Sequence, residues 1–167
     1  MQEQASRENV YQEMKKVNRY KKSPFKQGTY RPVNRQKYVG AKLPKYRSSW
    51  ELKFFTWCDR NANVLEWTSE STIVPYISPL DNKVHRYFVD NTVALREGDK
   101  IKRYMVEIKP YKQTLPPVHS NRKKKSTLLY EHKTYAVNQA KWESARLVAD
   151  KRGMEFIILT ENELNIK

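Results

Sequence analysis

From about residue 48 to residue 109, apolar residues repeat first with the period of a helix and then with the period of β-strands. An amphipathic helix is predicted from Ser48 to about Asn61, because four apolar residues have the i, i+4, i+7, i+8 spacing of one helical face. These are Trp50, Phe54, Trp57 and Cys58. Short apolar segments between turn-like residues then predict a strand meander. Its strands are expected at 64–67, 73–77, 84–94 and 102–109.

The last third of the chain has one long helical pattern and one apolar strand. The helix is predicted over about 126–151, with a break near Asn138 and an end at Gly153. The strand follows at 154–159, and Thr160 is positioned to cap a last short helix through residue 164. The order of helix, strands, helix and strand predicts an α/β fold with a mixed central β-sheet flanked by helices.

Residues 1–46 differ from the rest in charge, since they contain twelve Lys or Arg against three Glu. Val10, Met14 and Val17 have helical spacing after a potential cap at Ser6, so a basic N-terminal helix followed by an irregular arm is predicted. The arm's aromatic residues suit stacking on bases, and equally suit anchoring the arm to its own domain. They are Phe25, Tyr30, Tyr38 and Tyr46. The chain is therefore divided into 1–46 and a folded domain at 47–167.

Composition narrows the classes of partner. A net charge of +15 in 167 residues favours a polyanion, with nucleic acid the first candidate and an anionic membrane the second. No apolar run is long enough to span a membrane and no signal peptide is recognisable, so a soluble, intracellular protein is expected. Cys58 is the single cysteine, which excludes an intrachain disulfide and a cysteine-rich zinc site.

The candidate chemistry lies in the predicted strand Val106-Glu107-Ile108-Lys109. Because a strand alternates its side chains, Glu107 and Lys109 should share one face while Val106 and Ile108 point into a core. Asp90 is a lone acid in another apolar strand, where burial without a partner would be costly. Together the three residues form the D-(x)n-E-x-K pattern of a metal-dependent nuclease. The alternative is that Glu107 and Lys109 form an exposed pair on a half-solvated strand.

Phosphodiester hydrolysis by this pattern needs hard oxygen ligands for Mg²⁺, with Mn²⁺ as a second candidate ion. Asp90, Glu107 and the Ile108 backbone carbonyl are the candidate ligands. Lys109 is positioned to orient water or to stabilise the transition state, either as a cation or, if its pKa is depressed, as a base.

A third acid has two interpretations. Glu51 lies in the first turn of the first predicted helix, where it is a candidate metal ligand. Equally, Ser48 and Glu51 have the spacing of a capping box, which needs no metal. Glu70 is interpreted as a turn residue or as an acid outside the ligand set.

Several basic and polar residues around these strands are candidate DNA contacts, although each is also compatible with simple solvation. The set is Arg47, His85, Arg86, Lys112, Gln113, Arg122, Lys123, Lys124 and Lys125.

Five segments of the chain together resemble the head-completion nucleases of T4-like tailed phages. The resemblance lies in Tyr46–Glu51, His85–Asp90, Val106–Pro110 with Gln113 and Pro116-Pro117, the basic segment 28–40, and the end of the chain at 138–143 and 156–161. More distantly, the order of acids and lysine is similar to that of the endonuclease subunit of Tn7-type transposases and of phage junction resolvases.

This resemblance implies a restriction-endonuclease-like fold of the PD-(D/E)xK superfamily, with Glu51, Asp90, Glu107 and Lys109 as active-site residues. It implies cleavage or trimming of packaged double-stranded DNA so that filled heads join tails. Portal or neck proteins are then candidate partners, and the host cytoplasm during virion assembly is the expected location, with retention in the virion an open alternative. The chain departs from the expected pattern at Asn91, where an apolar or aromatic residue is expected.

The sequence is also compatible with two other functions. One is a DNA repair or junction-resolving endonuclease with the same site. The other is a structural head or portal-binding protein whose nuclease site is vestigial.

Overall fold

The computed structural model describes residues 27–164. The predicted helix around Val10–Val17 and the predicted anchor Phe25 lie outside the described residues. This described part contains three helices, α1 (Ser49–Arg60), α2 (Tyr111–Thr114) and α3 (Lys125–Lys151), with a 3-10 turn at Arg35–Lys37. The strands are β1 (Gly28–Thr29), β2 (Lys45–Tyr46), β3 (Val64–Ile77), β4 (Val84–Glu97), β5 (Lys100–Ile108) and β6 (Glu155–Leu159). No helix of this described part is long and apolar enough to cross a membrane.

The main sheet has the strand order β3-β4-β5-β6. β3, β4 and β5 pair antiparallel, whereas β6 lies parallel to β5 after the chain has crossed over through α3. The predicted mixed sheet flanked by helices is therefore confirmed.

Three local predictions were wrong. The segments 64–67 and 73–77 are one strand, β3, whose pairing with β4 shifts register between Ser69 and Thr72. α3 runs through Asn138 without a break, because Asn138 belongs to its buried face. Residues 161–164 form a single turn in place of a helix, closed by the Leu164 amide on the Thr160 carbonyl at 2.9 Å.

The sheet is covered on both faces, which gives two hydrophobic clusters. α1 packs on one face through Phe54, Phe55 and Trp57. α3 packs on the other through Trp142 and Ala145. Trp57, Trp67 and Trp142 are each 1% exposed, so burial of large aromatic surface holds both layers to the sheet.

The arm's tyrosines contact the α1 layer. The rings of Tyr30 and Tyr38 lie 6.1 and 4.6 Å from that of Trp67. Val39 also donates its amide to the Trp67 carbonyl at 3.1 Å, so the arm covers part of the outer edge of β3. Of the two interpretations of these aromatic residues, packing on the domain is the one the structure shows for Tyr30, Tyr38 and Tyr46.

β4 changes layers along its length. Tyr87 and Val89 belong to the cluster beneath α3, whereas Val93 and Leu95 belong to the cluster beneath α1. The described pairing of β4 with β5 begins at Asn91, opposite Val106, so the first half of β4 pairs with β3 alone. Asp90 lies at this fork.

Candidate active site

The two strand acids meet at the fork between β4 and β5. Asp90 accepts a hydrogen bond from the Ile108 amide at 2.8 Å, which holds its carboxylate beside the end of β5. Glu107, one residue earlier on β5, is 3% exposed and lies on the α3 side of the sheet with Tyr87. Val106 and Ile108 point into the opposite cluster, as the alternation of a strand predicts.

Both oxygens of Glu107 have partners. The Tyr87 hydroxyl donates to Oε2 at 2.6 Å, and the Lys109 ammonium lies 2.8 Å from Oε1. Glu107 and Lys109 share a face, but that face is covered by α3. The alternative of an exposed pair on a half-solvated strand is therefore wrong.

Burial and mutual charge determine the protonation of the group. Burial, followed by the negative charge of Glu107, raises the pKa of Asp90 well above its ordinary value. For Lys109, burial alone would lower the pKa, but the charge of Glu107 and the hydrogen bond to it raise the pKa above normal. Lys109 is thus a cation in this arrangement, and the alternative of a neutral base is not supported. Burial and the charge of Glu107 also raise the pKa of Tyr87, which keeps its hydroxyl a donor.

These residues line an open cavity of about 420 Å³. Its wall carries three acids and four cations, so charges of both signs face the same space. The lining residues are Arg47, Glu70, Arg86, Tyr87, Phe88, Asp90, Glu107, Lys109 and Lys141.

Glu51 lies beside this cavity and caps α1. The Ser48 hydroxyl accepts from the Glu51 amide at 3.1 Å, while Glu51 Oε2 accepts from the Arg47 amide at 2.7 Å. This is close to a capping box, with the return bond going to the residue before the N-cap. Burial raises the pKa of Glu51, and its negative charge in turn raises the pKa of Asp90 and of Lys109. The capping contact is therefore present, and the metal-ligand role stays a prediction.

Comparison with known proteins identifies the type of domain. Residues 61–161, which include the strand acids and Lys109, match the model of the TnsA-like endonuclease N-terminal domain. The chain belongs to the TnsA-like endonucleases. It is also 40% identical over 141 residues to the head completion nuclease of Enterobacteria phage T4, an alignment that covers 82% of this chain and 92% of that protein. The fold is accordingly restriction-endonuclease-like, and the chain is a nuclease.

Three residues of this TnsA-like site were not predicted as site residues. Tyr87 was interpreted only as an apolar strand residue, yet its hydroxyl contacts Glu107. Glu70 was interpreted as a turn residue or as an acid outside the ligand set. It lies within β3 at the register shift, with a positive φ of 49° and its carboxylate 2.6 Å from Arg47. Lys141 comes from α3. A signal existed for Lys141: it follows the buried Asn138 by one turn, so a lysine is placed near the helix face that packs on the sheet.

The predicted DNA contacts separate into four groups. Arg47 and Arg86 line the cavity with the acids. His85 points away to the hairpin, where it bonds Asp81 at 2.9 Å. Lys112, Gln113 and Lys123 line a second cavity of about 370 Å³ between α2 and α3. Lys123 is paired there with Glu131 at 2.6 Å. The remaining three, Arg122, Lys124 and Lys125, are exposed at the start of α3.

The donor set is suited to a hard divalent cation, and nucleases of this TnsA-like class generally use divalent metal ions. Within residues 27–164 no three acidic, histidine or cysteine side chains come together as a metal site. Two carboxylates are adjacent, however, and burial, followed by the negative charge of Glu107, raises the pKa of Asp90. A bound cation would offset the repulsion between the two carboxylates. Asp90 and Glu107 therefore fit a site completed by backbone or water oxygen.

Proposed function

We propose that this chain is a divalent-metal-dependent DNA nuclease that acts in the completion of phage heads. Mg²⁺ is the expected ion, with Mn²⁺ as an alternative. The observation that carries the proposal is the convergence of Asp90, Glu107 and Lys109 in one open cavity. Two acids are held there against their mutual repulsion, with a half-buried ammonium 2.8 Å from one of them.

Asp90 and Glu107 are the proposed metal ligands, together with the Ile108 carbonyl. The Ile108 amide already faces Asp90, and a strand residue directs its N–H and C=O to the same side, which supports the carbonyl as a third oxygen. A divalent cation held there would supply positive charge to the phosphate and make nearby water more acidic. Tyr87 and Lys109 orient the Glu107 carboxylate from two directions. Lys109 also provides a permanent positive charge beside the reacting phosphate.

Glu51 is proposed as a further acid of the site, since its negative charge contributes to the raised pKa of Asp90 and of Lys109. Arg86 and Arg47 are proposed to contact the DNA backbone from the cavity wall. The exposed cations Arg122, Lys124 and Lys125, with Lys112, Gln113 and Lys123, would extend the contact along the strand. His85, held by Asp81, is the weakest member of this set.

The proposed biological role rests on the similarity to a head completion nuclease. In this role the substrate is packaged double-stranded DNA, whose cleavage or trimming lets a filled head join its tail. Portal or neck proteins are the proposed partners. Assembly would take place in the host cytoplasm, and retention in the virion is a separate question for experiment. The basic arm, residues 21–46, is proposed to add affinity for DNA rather than chemistry.

The test is cleavage of linear duplex DNA in Mg²⁺, in Mn²⁺ and in EDTA. We expect cleavage only with metal, and we expect Asp90→Asn and Glu107→Gln to abolish it while DNA binding in the absence of metal is retained. Asp99→Asn, at an exposed turn, is the matched control for loss of one carboxylate. Full activity of Glu107→Gln would overturn the assignment of the site.

Two further substrates separate the alternatives. Cleavage of covalently closed circular DNA would demonstrate endonuclease action, and strong preference for a four-way junction would favour the junction-resolving function. DNA binding without cleavage in either metal would favour the structural role and contradict our proposal.

A further inference from the structure

The cations of the active-site cavity are held in two different ways. Arg47 is paired with Glu70 at 2.6 Å, and Lys109 with Glu107 at 2.8 Å. Arg86 instead lies over the ring of Phe88 at 5.8 Å. Lys141 lies over two rings, those of Tyr76 at 5.7 Å and Tyr87 at 5.6 Å. Among the described residues no acid forms an ion pair with Lys141.

Three elements fix the position of Lys141. α3 presents it beside Asn138 and Trp142, which are buried against the sheet, so the side chain enters the cavity from the layer above the acids. Its two ring partners come from the paired strands β3 and β4. Tyr87 has a second role, because its hydroxyl donates to Glu107 at 2.6 Å. One ring therefore connects the lysine to the acid pair.

Aromatic contacts leave the hydrogen-bonding capacity of a lysine largely available. A cation over a ring within about 6 Å is attracted to the electrons of the ring face, without a carboxylate to neutralise it. The ammonium keeps three N–H donors, which a half-buried position withdraws from bulk water. The same wall carries Asp90, Glu107 and Glu70, whose negative charges oppose the binding of an anionic ligand. The charge of Lys109 is already matched by Glu107.

We propose that Lys141, seated between the rings of Tyr76 and Tyr87, is a phosphate-binding residue that contacts a DNA phosphodiester next to the acid pair. This assignment rests on the proposed nuclease function and adds a cation from α3 to Lys109 of β5 and to the two arginines already proposed as backbone contacts, Arg47 and Arg86. The ligand class is a phosphodiester anion, for which an ammonium is a suitable point charge. The two tyrosines hold the cation in place before DNA arrives.

The test compares Lys141→Ala with Lys141→Arg and with Lys151→Ala. Lys151 is exposed on the same helix, ten residues and about 15 Å further along, so its removal matches the change in net charge. Binding of a fluorescent duplex is measured in EDTA from low to high salt, and single-turnover cleavage in Mg²⁺. Thermal melting verifies that each variant is folded.

Loss of one phosphate contact should reduce the slope of log affinity against log salt by about 0.9. We expect this reduction in Lys141→Ala and not in Lys151→Ala, together with a fall of at least about tenfold in cleavage rate. Lys141→Arg should restore most of the slope, because a guanidinium also stacks on rings and binds phosphate. Tyr87→Phe keeps the ring and should keep the slope, although it removes the bond to Glu107.

The outcomes separate this inference from the proposed function. A wild-type protein that cleaves DNA, with an unchanged slope and rate in folded Lys141→Ala, would overturn the phosphate-binding role alone. A wild-type protein that binds but never cleaves, with a reduced slope in Lys141→Ala, would support phosphate binding and refute the nuclease function.

Discussion

Asn91 illustrates how single residues adapt to the geometry of the site. It departs from the apolar residue expected after the strand acid, yet it is 1% exposed. Its Nδ2 donates to the Thr68 carbonyl at 2.9 Å, beside the register shift between Ser69 and Thr72. A shifted ladder leaves backbone groups without strand partners, and a buried carbonyl needs a donor. Asn91 therefore supplies a hydrogen-bond donor where the pairing of β3 with β4 is irregular, beside the fork at Asp90.

The two roles of Glu51 can be separated by substitution. Glu51→Gln keeps an oxygen that can accept from the Arg47 amide, so we expect little change in melting temperature. It removes the negative charge that acts on Asp90 and Lys109, and we expect the cleavage rate to fall by about 10²-fold or more. Single-turnover rates and melting curves measure the two effects.

Ser48→Ala is the matched control, because it removes the other half of the cap. It should cost about 1 kcal/mol of stability and leave the rate per folded molecule unchanged. A wild-type rate in folded Glu51→Gln would assign Glu51 to the cap alone.

At the scale of elements, the local sequence pattern correctly predicted the features that depend on local structure. α1 followed from apolar spacing, and the E-x-K pair followed from strand alternation. β3 was divided because Ser69-Glu70-Ser71 has the composition of a turn, whereas pairing with β4 carries the strand through it. Tyr87 and Lys141 were missed because their roles depend on long-range placement. β4 must change layers and α3 must cross the sheet before either residue reaches Glu107.

Attachment of the arm to α1 depends on one buried acid near the end of the helix. Asp59 is fully buried and accepts three hydrogen bonds. The donors are the Tyr30 hydroxyl at 2.7 Å and the amides of Val33 and Asn34 at 2.8 and 2.9 Å. Its backbone carbonyl also accepts from the Asn34 side chain at 2.8 Å. A charged group with several donors is a stronger anchor than an aromatic contact alone.

Asp59→Asn should therefore destabilise the whole domain. An amide offers a single acceptor oxygen, and its NH₂ group would face a donor that the carboxylate now satisfies. We expect a loss of about 2–4 kcal/mol in the free energy of unfolding, measured by urea denaturation. Asp99→Asn, at an exposed turn, should change it little. Equal stability of the two variants would contradict the anchoring role.

At the scale of the molecule, the arm combines inward packing with outward charge. Tyr30, Tyr38 and Tyr46 contact the core cluster, while Arg31, Arg35, Lys42 and Lys45 are exposed. Packing and DNA binding are thus compatible, because different side chains perform them. The net charge of +15 then surrounds a cavity that itself contains three acids. Affinity for DNA can come from the surface, while the acids of the cavity are the proposed metal ligands.

We expect head completion to require the acids of the active site, and not only the folded protein. A test of this expectation needs a variant that is inactive but stable. Lys109→Ala is unsuitable, since it would leave the buried Glu107 without its counter-charge. Asp90→Asn is better. An aspartate whose pKa is raised by folding stabilises the protein only while protonated, and this contribution is lost as the pH rises through the raised value. Above it the carboxylate costs stability, so removal of the charge should not lower the melting temperature.

A phage that carries Asp90→Asn should consequently fill its heads with DNA and fail to join tails, with normal amounts of the folded variant in the infected cell. Electron microscopy of lysates gives the ratio of filled, tailless heads to complete virions, and Asp99→Asn is the control that removes an exposed acid. The expected result follows from loss of cleavage alone, because neither fold nor surface charge for DNA binding is reduced. Normal yields of tailed virions from an Asp90→Asn protein with no activity in vitro would show that nuclease chemistry is dispensable. The role in assembly would then be structural.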